Sequence, residues 1–134
     1  MEPVSSTPII LYAEDDHDDF ETVKDALAQL TSHYTLLRAK NGLEVKSYLE
    51  EDSNAAPSLI VLDLNMPLMD GKETLQWLKQ ENQFQNIPVM VFTTSSREDD
   101  MKLCKDNDCT FFRKPTLYRD LLHIAQVMLK MCNQ

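Results

Sequence analysis

The fold is decided by residues 59–71, which read LIVLDLNMPLMDG. The four apolar residues at 59–62 form a continuous rather than alternating run, which is typical of a strand covered on both faces in a parallel sheet. Asp63 follows this run at once. A carboxylate at the end of a buried strand costs free energy unless it is compensated, so Asp63 is a candidate functional residue.

Other short apolar runs lie on both sides of this one, at residues 9–13, 34–39, 89–92 and 111–112. Amphipathic stretches separate them. They predict helices through 20–30, 42–51 and 97–106, around Leu75 and Leu78, and around 121–129. Asp16 is predicted to cap the first helix, with Asp19 three residues later. The alternation predicts a doubly wound α/β fold of five βα units, with right-handed crossovers and helices on both faces of a parallel sheet.

The composition fits one globular domain over residues 1–134, with a core of about 8–132 and no output domain. The net charge of −9 argues against a surface for nucleic acid or anionic lipid. Two glycines are too few for either common nucleotide-binding loop. The N-terminus does not read as a signal peptide, and the cytoplasm is the expected location. We expect unpaired, inert cysteines and solvated histidines, without a zinc site.

Polar residues follow four of the predicted strands. They are acidic at 14–16 and 63, hydroxyl-bearing at 93–96, and a lysine followed by proline at 114–115. If the first and third strands are neighbours, Glu14, Asp15 and Asp63 converge, and like charges that close need a proton or a cation. Oxygen ligands without thiolate or imidazole favour Mg²⁺. Asp16 is expected to act only as the helix cap.

Lys114 and Thr93 are candidates for binding anionic oxygens. An ammonium group is a good partner for a carboxylate or a phosphoryl oxygen, and the Thr93 hydroxyl can donate to the same oxygens. The Lys114–Pro115 bond can be cis, which would fix the direction of the lysine.

Taken together, these motifs resemble the receiver domain of two-component response regulators, over roughly residues 9–132. The resemblance rests on the order and spacing of four motifs: EDD at 14–16, DLNMPLMDG at 63–71, PVMVFT at 88–93, and KP at 114–115. Residues 75–79, 87–88 and 93–96 are most similar to single-domain regulators paired with bacterial phytochrome-type kinases. The resemblance implies the strand order 2-1-3-4-5.

The resemblance also implies a role for each matching residue. Asp63 would be the phosphoacceptor for a sensor histidine kinase or phosphotransfer protein, and Thr93 and Lys114 would hold the phosphoryl oxygens. Mg²⁺ would be bound by Asp15, Asp63, the backbone carbonyl of Asn65 and, through a water, Glu14. Phe111 would be a switch aromatic that moves with Thr93, with core packing as its other interpretation. The pair Asp108-Cys109 departs from the Gly-Ala pair that is common before the fifth strand, so that turn is expected to differ.

Competing functions remain open at this point. The alternatives are a Mg²⁺-dependent phosphatase of the haloacid dehalogenase type and a receiver that docks without being phosphorylated. The phosphatase family has an acid two residues after its nucleophile, where this chain has Asn65. Direct DNA binding is not expected of a chain with this negative charge. The output is expected to be protein contact through helix four, strand five and helix five, and the same face is a candidate homodimer interface.

Overall fold

The computed structural model describes residues 7–133, in which five strands alternate with five helices. The strands are β1 Ile9–Ala13, β2 Thr35–Ala39, β3 Leu59–Leu62, β4 Val89–Thr93 and β5 Thr110–Arg113. The helices are α1 His17–Leu30, α2 Gly42–Glu50, α3 Gly71–Gln80, α4 Glu98–Asp106 and α5 Tyr118–Cys132. The prediction of five βα units is confirmed.

The strands form one parallel sheet in the order β2-β1-β3-β4-β5, which confirms the order implied by the resemblance. The last residue of β1, Ala13, lies opposite Ala39 of β2 and Leu62 of β3. The carboxyl ends of the three strands therefore lie side by side, and the residues that follow β1 and β3 meet at one edge of the sheet.

Both faces of the sheet are buried, as the continuous apolar runs predict. Ile10 and Tyr12 of β1 pack with α1 and α5, whereas Leu11 and Ala13 pack on the other face with α2, α3 and α4. Successive residues of a strand point to opposite faces, so one short strand contributes to both cores. Within residues 7–133, no helix combines the length and apolar character needed to cross a membrane.

Side-chain caps fix the helices that begin beside the sheet edge. The Asp16 carboxylate accepts a hydrogen bond from the Asp19 backbone N–H, which confirms the predicted cap of α1. Asp70 and Glu73 form a capping box at the start of α3. Gly71 is required there because a Cβ at that position would clash with the carbonyl group of Asp63. The close approach packs the start of α3 against the chain segment that carries Asp63.

One possibility that the sequence left open is decided, and one local expectation is wrong. The described residues contain no cis peptide bond, so Lys114–Pro115 is trans and the lysine is directed by its contacts instead. Cys104 and Cys109 form a disulfide, whereas all the cysteines were expected to be unpaired. The turn after α4 brings their Cα atoms to 5.2 Å, within the range that a disulfide spans. The expectation for the histidines is confirmed, since His17, His33 and His123 are exposed.

The α4–β5 turn contains Asp108, where the family commonly has a small residue. Asp108 has φ 55°, in the left-handed region that glycine adopts most easily. Aspartate tolerates this conformation better than most residues do. The aspartate therefore adopts a backbone conformation that suits glycine.

Candidate functional site

Three carboxylates meet at the carboxyl ends of β1 and β3. The Asp63 backbone N–H donates to the Ala13 carbonyl at 3.1 Å, which places Asp63 beside Glu14. Glu14, Asp15 and Asp63 each offer one oxygen, and these oxygens lie within 4.8 Å of one another. The donor set contains only oxygen, which fits a hard divalent cation such as Mg²⁺ or Mn²⁺. The structure therefore brings together the acids that the sequence analysis selected.

Lys114 joins this group and forms what we call the site cluster: Glu14, Asp19, Asp63 and Lys114. The Lys114 Nζ lies 2.6 Å from Glu14 Oε1, 2.8 Å from Asp19 Oδ2 and 3.0 Å from Asp63 Oδ2. The lysine side chain is only 11% exposed. One ammonium group is thus shared by three carboxylates, which leaves the cluster with excess negative charge.

Burial and charge shift the ionisation of this cluster. Burial raises the pKa of Glu14 to about 7, although the hydrogen bond from Lys114 opposes the shift. Burial by itself lowers the pKa of Lys114, but hydrogen bonds to Asp19 and Glu14 and the charge of Asp63 outweigh it and raise the pKa. Lys114 is therefore a fixed cation, whereas Glu14 can exchange a proton near neutral pH.

Tyr12 fixes the position of the Glu14 carboxylate from inside the core. Its buried hydroxyl donates to Glu14 Oε1 at 3.0 Å. Burial and the charge of Glu14 raise the pKa of this phenol, so it remains a neutral donor. Glu14 itself is 1% exposed. The hydroxyl and the ammonium group together compensate a carboxylate that would be costly to bury alone.

Thr93 lies at the end of β4 and is fully buried. Its carbonyl accepts a hydrogen bond of 2.7 Å from the Lys114 backbone N–H, which joins the ends of β4 and β5. Its hydroxyl accepts a hydrogen bond from the Ser95 backbone N–H at 3.4 Å. Thr93 and Lys114 are therefore held beside each other through the backbone.

The loop between β4 and α4 is attached to a second group of charges, the helix cluster: Lys72, Ser95 and Asp100. The Ser95 hydroxyl donates to Asp100 Oδ2, and Lys72 Nζ lies 2.9 Å from Asp100 Oδ1, an ion pair without hydrogen-bond alignment. Asp100 is buried. The hydrogen bond from Ser95, followed by the ion pair, lowers the pKa of Asp100. This cluster connects α3 to α4 beside the segment that carries Thr93.

Asn65 and Phe111 occupy less constrained positions. Asn65 is exposed, and its backbone N–H donates to Asp63 Oδ1 at 3.2 Å. Phe111 is half-buried, lies opposite Val91 and packs against the core on the α2–α3–α4 face. The metal-binding role of Asn65 and the switch role of Phe111 remain predictions.

Sequence reasoning missed three residues at this site: Tyr12, Asp19 and Arg38. Asp19 was interpreted only as part of a helix cap, although it is an acid in the first turn of the helix that follows the acidic end of β1. Tyr12 is a polar side chain within a buried run, a signal that a nearby partner is required. Arg38 donates hydrogen bonds to the backbone carbonyls of Glu14 and Asp15, and these contacts depend on the pairing of β1 with β2, so no local signal predicts them.

The model of the response regulator receiver domain family matches residues 10–126, which include the whole of this site. The chain belongs to this family. Receiver domains are phosphoacceptors in two-component signalling. In this chain the acids, the threonine and the lysine lie at the carboxyl ends of β1, β3, β4 and β5. The expected function as a receiver domain of two-component signalling is confirmed, and the family match favours it over the phosphatase.

Relatives of this receiver domain include regulators of phytochrome signalling. Response regulator Rcp1 of Synechocystis sp. is 37% identical over 106 residues, which are 75% of this chain and 72% of Rcp1. The phosphorylated cyanobacterial phytochrome response regulator RcpA is 30% identical with a TM-score of 0.85, covering 95% of this chain and 94% of RcpA. The Mn²⁺-bound form of Rcp1 has 33% identity and a TM-score of 0.81, with 90% of each chain covered. The expected similarity to the phytochrome-type regulators is confirmed.

Proposed function

We propose that Asp63 accepts a phosphoryl group from a phosphohistidine of a sensor histidine kinase or a phosphotransfer protein. The observation that carries the proposal is the site cluster. Asp63 is 5% exposed, its Oδ2 lies 3.0 Å from Lys114 Nζ, and two more acids lie close enough to share a cation. Similarity to Rcp1 and RcpA makes a phytochrome-type kinase the proposed donor.

The reaction is a displacement at phosphorus. An oxygen of the Asp63 carboxylate forms the new P–O bond as the P–N bond to the histidine breaks, and the bonding electrons return to the imidazole nitrogen. The product is an acyl phosphate on Asp63. Phosphoryl transfer needs mainly positioning and charge stabilisation, which a rigid edge of a sheet provides.

Mg²⁺ is the proposed cofactor, bound by Asp15, Asp63, the Asn65 carbonyl and, through a water, Glu14. When bound, the ion neutralises negative charge on the phosphoryl oxygens. The oxygen-only donor set supports this assignment. The excess negative charge of the site cluster supports it independently, because one lysine does not balance three carboxylates.

Lys114 and Thr93 are proposed to hold the phosphoryl oxygens. Lys114 Nζ already contacts the acceptor carboxylate, so it needs little movement to reach a group attached there. Thr93 is fixed next to it through the hydrogen bond between the Lys114 N–H and the Thr93 carbonyl. Preorganised donors of this kind stabilise developing charge without reorganisation at the moment of reaction.

The output is proposed to be a change in the face formed by α4, β5 and α5. Phosphorylation adds about −1.5 to −2 charge next to Lys114 and Thr93. Movement of Thr93 and Phe111 would carry this change to α4, and homodimerisation through the face is one proposed result. Sedimentation with and without acetyl phosphate tests the dimer, and an unchanged mass would contradict it.

Asn65 and Ser95 are proposed to control access of the water that hydrolyses the acyl phosphate.

The phosphoacceptor is tested with acetyl phosphate and Mg²⁺. Intact mass is expected to show one added phosphoryl group, which disappears after Asp63→Asn and after chelation of the metal. Asp52→Asn is the matched control because Asp52 is an exposed aspartate in a loop, and it should be modified normally. A stable adduct on the Asp63→Asn protein would overturn the assignment.

A further inference from the structure

Arg38 of β2 reaches across to the segment that carries the site acids. It lies opposite Tyr12 in the β1–β2 register, and its guanidinium extends past the end of β1. The Nε group donates to the Glu14 carbonyl at 2.9 Å, and Nη2 donates to the Asp15 carbonyl at 2.9 Å. One planar group thus binds two successive backbone carbonyls.

The guanidinium is itself held in place. It lies over the ring of Phe20, with 5.5 Å between Cζ and the ring centroid, and Phe20 is buried and stacks with Tyr12. Nη1 is 3.4 Å from His17 Nδ1. Arginine stacked on an aromatic ring loses little freedom when it forms its hydrogen bonds, so the contact to the carbonyls is preorganised.

The carbonyls it binds belong to a segment between a strand and a helix. In this segment the Glu14 N–H donates to Ala39, and the Asp16 side chain caps α1. Binding the Glu14 and Asp15 carbonyls fixes the rotation of two successive peptide groups. The direction of a side chain follows the rotation of its peptide groups, and carboxylates that repel one another would otherwise favour a wider spacing.

We propose that Arg38 is a positioning residue for the cation site and orients Glu14 and Asp15 through their backbone carbonyls. The proposal rests on the proposed Mg²⁺ site. When Arg38 is removed, the proposal predicts a change in Mg²⁺ affinity opposite in direction to the change that charge alone would cause. A guanidinium near the acids repels a divalent cation, so its removal would strengthen Mg²⁺ binding if charge dominated. If positioning dominates, its removal weakens binding.

The test measures Mg²⁺ affinity by calorimetry, together with the rate of modification by acetyl phosphate as Mg²⁺ is varied. Arg38→Gln and Arg38→Lys are each expected to weaken Mg²⁺ binding about tenfold, as loss of a supporting contact to a metal ligand typically does. The maximal rate at saturating Mg²⁺ should change little. Arg38→Lys keeps the charge but cannot form both hydrogen bonds in the same bidentate geometry. If the glutamine variant does not fold, the lysine variant is sufficient for the test. Lys130→Gln, an exposed lysine near the end of α5, is the control for net charge.

The outcomes separate the two proposals. Unchanged or tighter Mg²⁺ binding by both Arg38 variants would overturn the positioning role and leave the proposed function intact. A fall in maximal rate at saturating Mg²⁺, with unchanged affinity, would also overturn it. Failure of the unsubstituted protein to bind Mg²⁺ would overturn the proposed function and this inference together.

Discussion

The site cluster and the helix cluster both contain a buried carboxylate in contact with a lysine, but their charge balance differs. In the site cluster one lysine contacts three carboxylates, whereas in the helix cluster one lysine contacts one carboxylate that also accepts a hydrogen bond from a serine. The first has unbalanced negative charge and the second has none. Glu14 and Asp63 are buried, whereas the Asp19 side chain is 46% exposed, so one lysine serves two buried acids and one solvated acid. Buried acids in excess of their cation need a further ion or proton, while a balanced pair is complete.

This difference separates a group that can respond to a ligand from one that holds two helices together. The stability of the site cluster should depend on Mg²⁺ and on pH near neutrality. The helix cluster should respond to neither, because its aspartate is already paired and its pKa is lowered. The predictions below test this contrast, beginning with the largest expected effect.

Replacing Lys114 by methionine is expected to destabilise the metal-free protein by about 3 kcal/mol, because it leaves buried carboxylates without their cation. Mg²⁺ should restore part of this stability, since its proposed site includes two of the acids that Lys114 contacts, Glu14 and Asp63. Urea unfolding with and without Mg²⁺ measures both quantities. Lys130→Met is the control and should behave like the unsubstituted protein. The same loss of stability at all Mg²⁺ concentrations would contradict a shared cation site.

Replacing Asp100 by asparagine is expected to cost about 1–2 kcal/mol, since a buried charge-assisted contact is lost. The loss should be independent of Mg²⁺. The lowered pKa of Asp100 means that its contribution is present near neutral pH and is lost as the pH falls through the acid range. The cost of the substitution should therefore shrink in acid.

The control on the same helix is Asp106→Asn, which affects an exposed pair with Lys102. An exposed ion pair of this kind contributes little to stability, because solvent and salt screen it. Urea unfolding again provides the comparison. If Mg²⁺ reduced the difference in unfolding free energy between the Asp100→Asn protein and the unsubstituted protein, the two clusters would not differ in the way described.

The pKa of Glu14, raised by burial to about 7, predicts that protons compete with Mg²⁺ in the neutral range. Affinity should rise by up to about tenfold between pH 6 and pH 8, because the charged Glu14 carboxylate, which holds the ion through a water, attracts it more strongly than the protonated acid does. Calorimetry at several pH values measures this rise, and a flat profile would contradict it.

The same raised pKa has the opposite effect on the metal-free fold. Between its ordinary value of 4.5 and about 7, the folded protein holds a proton that the unfolded chain has released. Stability without Mg²⁺ should therefore decrease as the pH rises through this window, and added Mg²⁺ should offset the decrease.

Much of the fold and of the acidic site is predictable from sequence because its signals are local. The run at 59–62 ends at Asp63, and the strand order then places Asp63 beside Glu14. Lys114 could be selected as a site residue because it follows the last apolar run. Strand ends in a parallel sheet meet at one edge, so a polar residue directly after a buried run already has an approximate position.

The remaining features depend on geometry that no short segment encodes. Arg38 contacts Glu14 and Asp15 only because β2 pairs with β1 in one particular register. The Cys104–Cys109 disulfide depends on how the chain turns after α4. The trans Lys114–Pro115 bond could not be predicted from a dipeptide that allows both isomers.

The smallest expected effect concerns two loops, one between β3 and α3 beside the site cluster and one after α4, the helix that contributes to the helix cluster. Leu68, in the loop between β3 and α3, has φ 65° and is 78% exposed. Asp108, in the turn after α4, has φ 55°. A left-handed backbone costs a leucine about 1 kcal/mol more than a glycine, whereas an aspartate tolerates it better. Leu68→Gly should therefore stabilise the protein by up to about 1 kcal/mol, and Asp108→Gly should have a smaller effect.

Thermal unfolding of the two glycine variants makes this comparison, with Leu43→Gly as a control. Leu43 is another exposed leucine, but it lies within α2, where glycine should destabilise. A gain at Leu68 and a loss at Leu43 would show that the backbone conformation, not the loss of an exposed apolar side chain, determines the effect. A loss at Leu68 would instead mean that its side chain contributes more than the strain costs. The loop beside Asp63 would then be held by its own packing, as α4 is held by the helix cluster.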